Sequence, residues 1–542
     1  MSDEIFTAIG DTVAAFSRYE IEVRPTDGRV ENPFIDRRLE ATVRTPDGGH
    51  HEIEGFCDSE DGSLYRLRYM PAEEGEHVVS VRLVRANPAA SHTGVAKEQH
   101  CEMRFAATES DHPGVLRVDD EHPYHFRYSR SGRRYFWNGT TAYYLMGWQD
   151  DGRIGSILER LASRKINRVR VLLYGREYDR PWGQPVEQSD AFQLLLDPWP
   201  ARFPLDVTAP EFDLRRFNVH YWRRFERMLA SADALGIQVS VCFFIGGQPL
   251  AVPYPMWTED EYRYYRYACA RLSAFANVTW DLGNEHDFHR GNEFWVHTMA
   301  DEVSRRDPYG HLLGAHNKAY YGGAAGGNLT MQLHQAWDAG LSDLLGECRR
   351  KQEASGRIIP QVIEEFGYED LWERFPGHRS AETRRRVCWE VAMAGGYQTN
   401  GERAAGGGGW ISGAGDDSTA MLQQVAHMVD FFTSFEWWRT SPDPDALLAY
   451  EPGRPEEVPY YYGDGRRADD RPAQGLSDRR SLYVAYLPYG GCVRLRLAGA
   501  SHYTVTRFNP RSGERETLPD AAGEWLSPRS EGPHDTVYLL QA

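Results

Sequence analysis

From residue 109 to about 440 the chain repeats one rhythm: a short apolar run, a polar turn, then a segment whose apolar residues recur at helical spacing. The apolar runs are Arg134–Gly139, Arg168–Tyr174, Ile237–Phe244, Asn277–Asn284, His311–His316, Leu329–Gln335, Ile358–Phe366 and Tyr397–Gly401. Helical segments between them include Ile154–Ser163, Tyr221–Leu235 and Asp260–Ala276. Near-continuous apolar strands are those of a parallel sheet covered by helices. Eight such units favour a closed (β/α)8 barrel over an open doubly wound sheet. No GxGxxG or Walker loop stands at a strand–helix junction, which argues against nucleotide binding.

The flanks read differently. Residues 14–108 alternate polar and apolar positions between turns such as Thr26-Asp27-Gly28, as in Tyr19–Val23, Leu39–Val43 and His77–Val84, and predict an N-terminal β-sandwich. That sandwich is either a structural cap or a sugar binder. Ala86–Thr108 reads as a linker or strap, and residues 441–542 as a small C-terminal β-sandwich, with a barrel over 109–440 between them. The formal charge of −18 argues against nucleic acid or an anionic membrane as partner. No run approaches the roughly 20 apolar residues of a membrane span, and the N-terminus does not read as a secretory leader. The seven scattered cysteines show no CxxC spacing, which fits reduced thiols and a cytoplasmic location. A homo-oligomer is left open. The 15 Trp, 30 Tyr and 23 Phe suit a sugar-binding cleft and a large core equally.

Two segments carry chemistry. Val278–Asn284 is an apolar run that ends in Asn284-Glu285, and Pro360–Glu364 one that ends in Glu365-Phe366-Gly367. In a barrel both carboxyls face the same mouth. Glycoside hydrolysis needs such a pair, one to protonate the leaving oxygen and one to attack the anomeric carbon, roughly 5–5.5 Å apart when configuration is retained. The chain thereby resembles the retaining barrel hydrolases of clan A, which end strand four in Asn-Glu and strand seven in a second Glu. The resemblance implies that Glu285 is the acid/base and Glu365 the nucleophile. It narrows to an apiosidase-like subgroup through Glu31–Phe34, Leu67–Pro71, Glu73–Glu76 and Asn138–Tyr143.

Strand alternation leaves one of Glu364 and Glu365 facing the mouth, and the clan's aromatic-Gly pair selects Glu365, so Glu364 is expected behind it or outward. The resemblance further implies that Arg170 hydrogen-bonds the nucleophile and that Asn284 binds the sugar's 2-hydroxyl. His316 and His334 end apolar runs and are expected on a substrate hydroxyl or on Glu365. The clan's strand-six tyrosine has His334-Gln335 in its place. Trp410, after the run Gly406–Gly409, is either the stacking platform or a core residue; Tyr144 and Glu402 are further candidates near the mouth. His286, Asp287 and His289 are expected to tune Glu285 rather than to bind metal, since no HExxH is present.

The expected function is therefore retaining hydrolysis of a β-linked, terminal sugar from small glycosides or oligosaccharides, without cofactor or metal. A non-catalytic carbohydrate-binding barrel and a transglycosidase are the alternatives.

Overall fold

The computed structural model describes the chain except residues 1–4, 86–97, 180–185, 248, 251, 318–326, 337–339, 370–380, 404–407, 416–419, 454–471, 531 and 533. The ring's strands are β1 (Asn138–Thr141), β2 (Arg168–Leu172), β3 (Gln238–Cys242), β4 (Val278–Asp281), β5 (Leu313–Gly314 with His316–Asn317), β6 (Gln332–Gln335), β7 (Gln361–Glu365) and β8 (Tyr397–Asn400). All pair in parallel, and β8 returns to β1 through Asn138 opposite Gln398. The ring closes within β5: Leu313 and Gly314 pair with β4, whereas His316 and Asn317 pair with β6. Every described position of β2, β3 and β4 is buried, as the near-continuous apolar runs predict.

Seven helices of twelve or more residues pack outside the ring among the described residues: α1 (Asp151–Ser163), α2 (Val219–Ala234), α3 (Glu259–Leu272), α4 (Glu293–Arg306), α5 (Leu341–Ser355), α6 (Ala381–Met393) and α7 (Met421–Phe432). Their starts follow from side-chain caps. Asp150, Asn218, Thr258 and Asn292 each accept a backbone N–H at the head of α1 to α4. None is long and apolar enough to cross a membrane among the described residues.

The N-terminal residues form a five-stranded and a four-stranded sheet packed on Ile21, Val43, Leu67 and Val79, all essentially inaccessible. One expectation is corrected here. Glu98–Thr108 is an eleven-residue strand of the five-stranded sheet, second from its edge and paired along its length with Gly75–Arg85, and not a strap. Its positions alternate only weakly in hydrophobicity because one face meets solvent. Residues 86–97 of the expected linker lie outside the described residues. A second correction concerns Arg134–Gly139. Arg134–Tyr135 belongs to a small antiparallel sheet under the barrel, and β1 starts only at Asn138.

The C-terminal residues make a six-stranded and a three-stranded antiparallel sheet. They dock on α6 through Trp389 stacked on Tyr486 and through Arg385 paired with Asp535, both ions fully buried. The sandwich docks on α2 and α3 through Arg68 and Asp58, which bind Glu226, Arg223 and Arg271. A cavity of about 430 Å³ opens between the sandwich and helices α3 and α4, and neither Glu285 nor Glu365 borders it.

Candidate active site

Glu285 follows β4 and Glu365 ends β7, so both stand at the C-terminal rim where barrel loops converge. They meet beside one amide. Gln335, the last residue of β6, donates from Nε2 to Glu285 Oε1 at 2.8 Å, and it stands opposite Glu365 in the β6–β7 pairing. Tyr143, just past β1, adds a second anchor: its hydroxyl lies 3.2 Å from Glu365 Oε2, 3.1 Å from Asn284 Oδ1 and 3.4 Å from the Tyr368 hydroxyl. Arg170 Nη1 donates to that hydroxyl at 3.0 Å, and Arg170 Nη2 donates to Asn284 Oδ1 at 2.8 Å and to Asp281 at 3.0 Å. With Asn284 Oδ1 already served by the guanidinium, the Tyr143 proton is best used by the Glu365 carboxylate. The same bond fixes the Asn284 amide so that its Nδ2 donors face away from Arg170.

Below this rim lies a layer of charge. Arg168 of β2 and Glu364 of β7 are not on neighbouring strands, so their 2.6 Å bond crosses the barrel interior. Glu364 also accepts from Thr399 of β8 at 2.7 Å and pairs with Arg170 Nε at 2.9 Å. Two arginines and two carboxylates, Glu364 and Asp281, thus share the lumen with no solvent exposure. Of the two places expected for Glu364, behind Glu365 or outward, the structure gives the first. β7 carries an irregularity against β6, where His334 pairs with Ile363 and Gln335 with Glu365, so Glu364 is an extra residue. A bulge breaks the two-residue period, and Glu364 and Glu365 both turn inward at different depths.

Burial and the neighbouring Glu285 push the Glu365 carboxyl up to about 7, against the pull of Arg170, Tyr143 and Gln335. Two interacting carboxyls titrate as a pair, so the proton that leaves around pH 7 belongs to both. His316 is fully buried. Its Nδ1 accepts the Glu285 backbone N–H at 3.3 Å, and its Nε2 points toward Glu365 Oε2 at 3.9 Å. Burial, reinforced by Arg170, holds it far below the usual histidine range, hence neutral, with the proton on Nε2.

The family model of an apiosidase-like catalytic domain matches residues 123–400, just over half of the chain. The chain belongs to the apiosidase-like family. The sandwich of this apiosidase-like chain matches a domain of unknown function, DUF5060, over residues 12–83. No curated protein sequence matches it. Among solved structures, a candidate glycoside hydrolase of Bacteroides vulgatus aligns with a TM-score of 0.73 at 19% identity, covering 98% of this chain and 100% of that one. A glycoside hydrolase family 5 protein of the same organism aligns at a TM-score of 0.58 and 16% identity, covering 79% and 94%. At such identities the likeness is one of fold.

The remaining candidates of this apiosidase-like barrel divide. Arg170 binds Glu364, Asp281, Asn284 and Tyr143, and reaches Glu365 through its charge and through Tyr143 rather than by a direct bond. His334 turns from the mouth: its Nε2 meets Gln361 Oε1 at 3.3 Å, and Gln361 in turn donates to the Leu345 carbonyl of α5. Glu402 is held by Arg160 of α1 in a two-bonded pair at 2.6 and 2.8 Å. Tyr144 lies among Glu177, Tyr174 and Arg176, while its neighbour Tyr143 reaches the glutamates. Trp410 is 3% exposed, and Tyr368 stacks on its ring at 4.1 Å, so it backs Tyr368 and Tyr143 rather than presenting an open platform. Part of the glycine run before it lies outside the described residues. His286 bonds its Nδ1 to the Arg290 carbonyl and lies against Trp295. Sequence reasoning missed Tyr143 and Gln335. The signals were present but carried no assigned role: Tyr143 closes the Asn138–Tyr143 segment, and Gln335 stands with His334 where the clan has its strand-six tyrosine.

Proposed function

We propose that this chain hydrolyses β-linked sugars from small glycosides or oligosaccharides by double displacement, with Glu285 as acid/base and Glu365 as nucleophile. The observation that carries this reading is that two glutamates from different strands of the barrel mouth stand close enough to act on each other's charge, with Gln335 bonded to Glu285 and paired opposite Glu365. Glu365 would attack the anomeric carbon as Glu285 protonates the leaving oxygen, giving a covalent glycosyl-enzyme. Glu285 would then take a proton from water as that water displaces Glu365 and releases the sugar. The Tyr143 hydroxyl and the charge of Arg170 at Glu365 favour keeping the negative charge there and the pair's proton on Glu285. Asn284 Nδ2 is the natural donor to the 2-hydroxyl. The seven cysteines, all unpaired thiols, fit a cytoplasmic enzyme acting on imported glycosides.

The test begins with a panel of aryl β-glycosides, pyranosides and furanosides alike, with an apioside included because of the family's name. With water as the only acceptor, release of the phenol and free sugar separates hydrolysis from transglycosylation. Glu285→Ala should keep turnover of substrates with good leaving groups, and azide should rescue it as the β-glycosyl azide. Unchanged activity of Glu285→Ala on a poor leaving group would remove the assignment.

A further inference from the structure

We propose that His316 and Gln335 together read one hydroxyl of the sugar held between Glu285 and Glu365, and that the same Gln335 amide holds Glu285 in place. The proposal rests on the glycosidase reading and adds a specificity device to it.

The observation is a pair of complementary unpaired atoms. Gln335 is 6% exposed; its Nε2 donates to Glu285 Oε1, and its buried Oε1 has no hydrogen-bond partner. His316 is fully buried, its Nδ1 is engaged by the Glu285 N–H, and its Nε2 has no partner either. The Glu285 bond places the imidazole proton on Nε2, so the two atoms are one donor and one acceptor. They stand at the ends of adjacent strands, β5 and β6, and both border Glu365. Buried polar atoms are seldom left unpaired, so such a pair marks a place where a ligand group belongs. A hydroxyl accepts one hydrogen bond and donates another, and so satisfies both. A carboxylate or phosphate would meet Gln335 Oε1 with no proton to give, beside two further carboxyls. The chemistry thus selects a neutral, hydroxylated ring. The neutrality of His316, buried beside Arg170, agrees with a hydrogen-bonding rather than a charge-pairing role.

The experiment uses the full chain carrying Glu365→Gln, which keeps side-chain volume and stops turnover. Methyl β-glycosides of the common aldohexoses and aldopentoses, apiofuranoside included, are titrated by calorimetry, followed by each monodeoxy analogue of the tightest binder. One deoxy position should weaken binding by about 100-fold, since a site built to bond a hydroxyl rejects the analogue lacking it. Adding Gln335→Leu or His316→Phe should each abolish that penalty, leaving about 3-fold or less. Gln335→Glu, which keeps the acceptor, should retain it. Gln335→Glu in the otherwise native chain should also move the alkaline limb of the pH–rate profile upward by about one unit or more, because it puts a third carboxyl against the pair. A deoxy penalty that survives both substitutions, an unmoved alkaline limb, or no binding by any methyl glycoside would overturn the proposal. Binding with the expected penalty, together with no turnover of any aryl glycoside by the native chain, would instead sink the hydrolase reading and leave this pairing standing.

Discussion

Glu285 sits in the left-handed backbone region, with φ of +48°, which costs a residue bearing a side chain on the order of 1–2 kcal/mol. The surrounding chain over-determines it. Gly246, past β3, packs so close that a methyl group there would come within 2.4 Å of the Glu285 carbonyl oxygen. Gly246→Ala should therefore lower kcat by about 10-fold or more, since a displacement near 1 Å can cost 100-fold, while KM moves less; native kcat would refute the packing argument. The glutamate pair gives a second prediction. With Glu365 pushed up to about 7 and the groups around it being Glu285, Arg170, Tyr143 and neutral His316, the pair's shared proton is lost as pH rises through that value. kcat/KM should fall above about pH 7, and Glu285→Ala should flatten that limb for activated substrates. A limb that persists in Glu285→Ala would assign the proton elsewhere. At this scale the sequence was legible where a motif named the residue, as for Glu285 and Glu365. Tyr143 and Gln335 escaped because each has a neighbour, Tyr144 or His334, that reads equally well, and only the strand's rotation chooses between them.

The strands do this choosing, and β7 shows why the choice is not readable by counting. Its one extra residue gives Glu364 a place in the lumen between Arg168, Arg170 and Thr399. Removing that charge leaves two buried arginines against Asp281 alone. Glu364→Gln should thus lower thermal stability by about 3–5 kcal/mol, as for other broken buried ion pairs, whereas Glu365→Gln should leave stability nearly intact and abolish turnover. Equal thermal midpoints for Glu364→Gln and the native chain would contradict the lumen network. Elements with long apolar runs were legible to within a few residues, as at β3 and β4. Glu98–Thr108 was not, because a strand with one wet face and charged positions such as Glu98, Glu102 and Arg104 resembles a solvated connector. A bulge depends on pairing between strands distant in sequence, and no local pattern records it.

Across the whole molecule, the two β-rich ends are fastened to the barrel by buried charge as well as by apolar contact. At the sandwich junction, burial opposes ionisation of Glu226, but Arg271 and Arg68 outweigh it and bring its carboxyl down to about 2. A group depressed from its ordinary 4.5 stabilises the fold above that value and loses its contribution as pH falls toward 2. That contribution is on the order of 3 kcal/mol. Unfolding followed between pH 5 and 2 should therefore show a steeper loss of stability in the native chain than in Glu226→Gln, and parallel curves would refute the junction's role. The barrel between these ends carries the central claim, that two strand-end glutamates act by double displacement. The most direct measurement is proton NMR of the first sugar released from a β-glycoside, recorded before mutarotation. A β-configured product is the predicted result, and an α-configured product would contradict the account.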